Sequence, residues 1–112
     1  MKEDLRSALR ERVVVIDGAM GTMLQARGLP PGVCPELFGL EHPQVLAEVH
    51  GAYVEAGARI LQTNTFGANR FKLAEYGLQE RVAEINAGAV RAARKAAAGR
   101  AWVALDVGPT GK

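Results

Sequence analysis

Only one cysteine, Cys34, occurs in 112 residues. That excludes an internal disulfide framework and suits a reducing compartment. Aromatic residues make up 5% of the chain, and Lys and Arg are spread along it rather than clustered. With neither a stacking platform nor a basic patch, no nucleic-acid partner is expected, despite a net charge of +2. Apolar runs are short, none approaching the roughly 20 residues of a membrane span. Residues 1–12 are charged throughout and lack the apolar core of a signal peptide. The expected setting is cytoplasmic, with no membrane partner. Soft metal ligands are equally scarce, being Cys34, His42 and His50 alone, whereas a zinc site takes three or four ligands. No shared metal is expected among them, and Cys34 reads as a loop thiol that packs or faces solvent.

What is present is ordinary for one globular domain: 48% apolar and 23% charged residues. Its most hydrophobic run is Val13-Val14-Val15-Ile16, followed at once by Asp17-Gly18-Ala19-Met20-Gly21-Thr22. Consecutive β-branched residues of this kind belong to a parallel strand covered on both faces. In parallel α/β folds ligands gather at the carboxyl ends of strands, where Asp17 and Gly18 stand. A plainer role is also open, in which Asp17 caps the next helix and Gly18 turns the chain.

In chain order, residues 4–11 read as a short helix capped by Asp4. A strand at 13–17 and a helical stretch over 19–27 follow. Residues 28–41, with three prolines and three glycines, read as a long loop. The clearest helix runs over 43–56, with Pro43 at its first position and Gly57 just past its end. Val45, Leu46, Val49, Tyr53 and Ala56 form its apolar face, and His50 flanks that face as a structural histidine. A second strand, 59–63, ends in Asn64-Thr65-Phe66-Gly67. A short helix over 68–76 and a longer one over 79–98 come next. Leu78, Val82, Ile85, Ala89, Ala92 and Ala96 form the seam of the longer helix, with a coiled coil as the competing reading. The third strand is 101–107, followed by Gly108-Pro109-Thr110-Gly111-Lys112.

Strands alternating with helices predict an α/β fold of parallel βα units. Asp17-Gly18, Asn64-Thr65 and the stretch from Asp106 to Thr110 would then share one rim. Two phosphate motifs fail. G-x-G-x-x-G is absent after the first strand, with Met20 and Met23 standing where glycines are needed. G-x-x-x-x-G-K would require glycine at Asp106. Three parallel strands would leave open edges, so the chain is expected to take up further strands or to self-associate through those edges. A (β/α)8 barrel needs about 250 residues, and this sequence reads as its N-terminal third, truncated after strand three.

The segments Val15-Ile16-Asp17-Gly18-Ala19-Met20-Gly21-Thr22, Ala56-Gly57-Ala58 leading into Gln62-Thr63-Asn64-Thr65-Phe66-Gly67-Ala68-Asn69, and Gly108-Pro109-Thr110-Gly111 resemble the homocysteine S-methyltransferase family. Lys72-Leu73-Ala74-Glu75-Tyr76-Gly77-Leu78 resembles most the bacterial form fused to a methylenetetrahydrofolate reductase. The resemblance runs from about residue 10 to residue 112. It implies a TIM barrel, occupying 1–112 here with its first segment, that moves a methyl group onto the thiol of homocysteine to give methionine. It also implies a zinc ion held by three cysteines on later strands, none of them in this chain and none matched by Cys34.

The site residues it implies are Asp17 and Gly18, which hold the amino-acid end of homocysteine, with Asn64 and Thr65 shaping the same pocket. Met20 and Phe66 stand near the methylene chain or pack in the core. The methyl donor implied is methyltetrahydrofolate or methylcobalamin, though betaine and S-methylmethionine serve relatives. The 112 residues alone are expected to be inactive. Two readings of other classes stay open: a stand-alone, non-catalytic ligand-binding or assembly fragment, and a different α/β enzyme using Asp17 and Asp106 for acid–base work.

Overall fold

The computed structural model describes residues 1–112. Helix α1, Leu5–Glu11, begins at Asp4, whose carboxylate accepts the Ser7 N–H at 3.3 Å. The Trp102 indole N–H donates to the Glu3 carbonyl at 2.8 Å and so ties this N-terminal segment to the other end of the chain. Helices α2 (Gly21–Gln25), α3 (Pro35–Glu41) and α4 (Pro43–Glu55) lead to strand β1 (Ile60–Gln62). Helix α5 (Arg70–Ala74), a 3₁₀ turn (Gln79–Arg81) and helix α6 (Val82–Ala97) then lead to strand β2 (Trp102–Ala104). No helix is long and apolar enough to cross a membrane.

The two strands are parallel, with Ile60 opposite Trp102, Leu61 opposite Val103 and Gln62 opposite Ala104. The expected strand at 13–17 is reduced to a single parallel bridge between Ile16 and Ile60. Around it, the Asp17 N–H donates to the Ile60 carbonyl at 3.0 Å and the Arg59 N–H to the Val15 carbonyl at 2.7 Å. The segment has a neighbour on one side only, and Val13 runs off the sheet at 92% exposure. A hydrophobic run with no covering layer has nothing to hold it straight.

The third strand also stops early, at Ala104 rather than 107. Beyond that point threonine hydroxyls replace the backbone ladder. The Asp106 N–H donates to Thr63 Oγ1 at 3.1 Å, and Thr65 Oγ1 donates to the Asp106 carbonyl at 2.6 Å. The single hydroxyl proton of Thr65 is thereby committed, so in the 2.7 Å contact between the two hydroxyls Thr63 is the donor.

The stretch 28–41 is not all loop. Pro35 sits in the first turn of α3, where its missing N–H costs nothing, and a seven-residue helix follows despite Gly39. The α4 face is also rotated from the sequence pattern: Leu46, Val49, His50 and Val54 are buried, while Ala56 is exposed. On α6 the buried seam is Ile85, Ala89, Ala93 and Ala97, rather than one passing through Ala92 and Ala96. That seam packs inside the molecule and leaves no coiled coil.

The apolar interior is divided into three clusters. Val54, Ala58, Leu61, Ala97 and Ala101 join α4 and α6 to the sheet. Leu24, Leu29, Phe38 and Val49 join α2, α3 and α4. Cys34, Ala68, Leu73 and Ile85 join α3, α5 and α6. Small side chains on α6 let it lie close to β1 and β2, and this sets the height at which the strand ends open.

Candidate functional site

The carboxyl ends of the extended segment, β1 and β2 meet around a cavity of about 300 Å³. Asp17, Gly18, Gln62, Asn64 and Asp106 line it from the strand ends, Met20 and Gly21 from the start of α2, and Pro35 and Glu36 from α3. Two larger hollows, of about 480 and 680 Å³, lie elsewhere. One runs along the apolar sides of α6 and β2, the other in a groove between α4 and α6. Neither contains a carboxylate pair facing a strand end, so the chemistry points to the smaller cavity.

Asp17 is buried, and its carboxylate is held from one side only. The Gln62 N–H donates to Oδ2 at 3.1 Å and the Gln62 side-chain amide to Oδ1 at 3.2 Å. A carboxylate has about four acceptor positions, which leaves roughly half of them free for a ligand. Burial pushes the Asp17 carboxyl above its ordinary value; the two Gln62 hydrogen bonds pull it back, and the neighbouring Asp106 charge adds to the rise. No lysine, arginine or histidine lines the cavity, whereas Asp17, Glu36 and Asp106 do. Such a site favours a cationic group.

Gly18 follows with a backbone N–H that donates to no acceptor in the chain. A Cβ at this position would lie 3.4 Å from the Tyr53 hydroxyl. That hydroxyl donates to the Ala19 carbonyl at 2.6 Å, so α4 fixes the course of the turn. Asn64 is buried, and its amide donates to the Pro35 carbonyl at 3.1 Å, drawing the start of α3 over the end of β1. Thr65 does not line the cavity; its hydroxyl holds the Asp106 backbone. Phe66 lies at the cavity mouth and is largely exposed, while Met20 lines the wall and packs against the Leu24 cluster.

Gln62 and Glu36 are among the lining residues that escaped the sequence pattern. Gln62 lies inside the second strand, where the alternation of side chains gives no sign that it reaches Asp17 across to the neighbouring segment. Glu36 lies in the stretch read as loop; it is buried, accepting from the Cys34 thiol and the Gly67 N–H, both at 3.4 Å. A glutamate directly after a proline that starts a helix was the available signal.

The close fit of α3 makes a stability prediction. A Cβ on Gly39 would stand 2.5 Å from the Asn64 amide nitrogen. Gly39→Ala is expected to displace Asn64 from Pro35 and destabilise the fold by about 1–3 kcal/mol, offset by up to ~1 kcal/mol of helix propensity. Urea unfolding measures it; a variant clearly more stable than the parent would mean that Asn64 swings aside freely.

Zinc does not fit this chain's own residues. The one thiol, Cys34, is buried, is turned onto Glu36, and is pushed up in pKa by burial. No three His, Cys, Asp or Glu side chains converge as a metal site would require.

The family model for homocysteine S-methyltransferase matches residues 14–112. The chain is 40% identical to a methionine synthase of Mycobacterium tuberculosis, over 84% of this chain and 8% of that protein. It is 38% identical to a methionine synthase of Mycobacterium leprae, with the same coverage. Among solved structures, a homocysteine methyltransferase from Escherichia coli in its metallated form superposes with a TM-score of 0.83 at 34% identity, covering 96% of this chain and 42% of that one. The oxidised form of that enzyme gives 0.79 at 31% identity, covering 96% and 41%. The chain therefore spans a small part of the curated relatives and less than half of the solved ones.

Proposed function

Because this chain belongs to the homocysteine S-methyltransferase family, we propose that residues 1–112 form the N-terminal third of a (β/α)8 barrel that methylates homocysteine to methionine. In this reading the segment supplies the groups that hold the amino-acid end of the substrate, and other strands supply the zinc. The observation that carries it is the half-satisfied Asp17 carboxylate beside the unpaired Gly18 N–H, both in a cavity without a cationic side chain. An ammonium group pairs with Asp17 and a carboxylate accepts from Gly18, so a free α-amino acid meets its two charges in consecutive residues.

The reaction forms an S–CH3 bond and breaks the bond between methyl and donor. The thiolate is the nucleophile, and zinc, when bound, supplies its activation. Asp17 and Gly18 fix the opposite end of the molecule and so limit the directions in which the sulfur can point. Asn64 acts on the same pocket by anchoring α3, and Thr65 by holding the Asp106 backbone. Met20 and Phe66 offer apolar surface to the methylene chain. The donor in this reading is methyltetrahydrofolate or methylcobalamin. The exposed apolar residues along the open strand segments, Val13, Val15, Ile16, Leu105 and Val107, support edges that receive the rest of the barrel or a second copy of the chain.

The test pairs zinc analysis with a methyl-transfer assay, on the 112-residue chain and on the full-length protein. The chain alone is expected to bind no stoichiometric zinc and to transfer no methyl group, and the full-length protein to do both. Cys34→Ser in the full-length protein is expected to leave zinc content and turnover unchanged, because the thiol faces Glu36 rather than the cavity's free volume. Loss of zinc in that variant would overturn the division of labour.

A further inference from the structure

The proposed contact between Asp17 and the substrate ammonium leaves open what keeps that carboxylate ready in a buried, acidic cavity. Asp106 from the end of β2 and Glu36 from α3 face the same space, and Tyr53 of α4 stands behind Gly18. None of these groups offers Asp17 a positive charge. Its hydrogen bonds from other residues both come from one residue on the adjacent strand, Gln62.

Resting on that reading of Asp17, we infer that Gln62 is a positioning residue for substrate binding. It holds the Asp17 carboxylate by both oxygens, in the ionised form and with its free positions turned to the cavity. The two bonds differ in kind. The backbone N–H can only donate, so it always favours the ionised carboxylate. The side-chain amide donates through its nitrogen to an ionised Asp17 and, if rotated, could accept from a protonated one. With the backbone donor beside it, the donating orientation matches the charged state, at 3.1 and 3.2 Å. Hydrogen bonds to the charged form favour it and here counter the burial and the Asp106 charge that push Asp17 up. The arrangement follows from register: the bridge between Ile16 and Ile60 places Asp17 beside the residues immediately after Ile60.

The experiment is homocysteine affinity measured against pH in the full-length protein, for the parent, Gln62→Met and Asp17→Asn. Methionine keeps the length of glutamine and removes its donor. In the parent, affinity falls on the acid side as Asp17 takes a proton. In Gln62→Met that acid limb is expected to move up by roughly one pH unit, the size of one charge-assisted hydrogen bond. Above the limb, affinity returns to within a few-fold of the parent. An unmoved limb, or an equal loss at every pH, would overturn the role of Gln62. If Asp17→Asn binds homocysteine like the parent, the reading beneath it fails and the inference falls with it. If Asp17→Asn loses binding but Gln62→Met leaves the limb in place, only the inference fails. Should Gln62→Met not fold, the side-chain amide resonances of Gln62 in the parent provide the readout. They are expected to titrate with the Asp17 carboxyl at a shared midpoint, and independent midpoints would overturn the coupling.

Discussion

Asp17→Asn in the full-length protein is expected to weaken homocysteine binding by roughly 30-fold to several thousand-fold while leaving bound zinc intact. The magnitude is that of losing one partner of a desolvated charge pair, about 2–5 kcal/mol. The fold should tolerate the change. The asparagine oxygen still accepts from the Gln62 N–H, and a rotation of the Gln62 amide lets its oxygen face the new Nδ2. The substrate ammonium has no such remedy, because an amide carries no charge. Zinc should be unaffected, because in the proposed reading the metal is held by other strands. Calorimetric titration with homocysteine, together with metal analysis, decides the matter. Unchanged affinity would remove Asp17 from the substrate site.

A second large effect is expected from acid. His50 is fully buried on α4, neither ring nitrogen has a hydrogen-bond partner, and burial pushes its pKa down from 6.5 to about 4. The unfolded chain takes up a proton there near pH 6.5, whereas the folded chain resists until about pH 4. The unfolded state therefore binds more protons throughout that window. The contribution is complete above the upper value and is lost as pH falls, at up to about 1.4 kcal/mol per unit and about 3 kcal/mol across the window. Asp17 works in the opposite sense at the acid end, because its raised pKa makes the folded state the stronger proton binder there. Urea unfolding at several pH values should show the loss in the parent. His50→Leu, which fills similar space without orphan nitrogens, should flatten that part of the profile and raise stability near neutrality. A parent whose stability does not change between pH 6.5 and 4 would show that the ring finds a partner on protonation.

Local chemistry made much of this molecule legible in the sequence. Asp4 as a cap, Pro43 opening the long helix, and the strand–helix alternation are decided within a few residues, by hydrogen-bond donors, ring closure and periodicity. The parallel pairing follows from that alternation, and the positions of Asp17, Asn64 and Asp106 around one cavity follow from parallel pairing.

Other features depended on what each segment meets in space. Val13 to Ile16 has strand composition, yet it pairs through one bridge, to Ile60, with most of its side chains exposed. The third strand ends at Ala104 because the hydroxyls of Thr63 and Thr65, more than 40 residues earlier, take over its backbone groups. Helix α3 carries a glycine at position 39 where the Asn64 amide fills the space a Cβ would need, a demand that no local pattern records. His50 turns inward because the α4 face is set by its packing partners and not by its own periodicity alone. Gln62 reaches Asp17 only because register aligns residues 45 positions apart. Composition and local pattern supply the residue types from which the site is drawn; which of them meet there is set by packing and register, because those contacts join segments far apart in the chain.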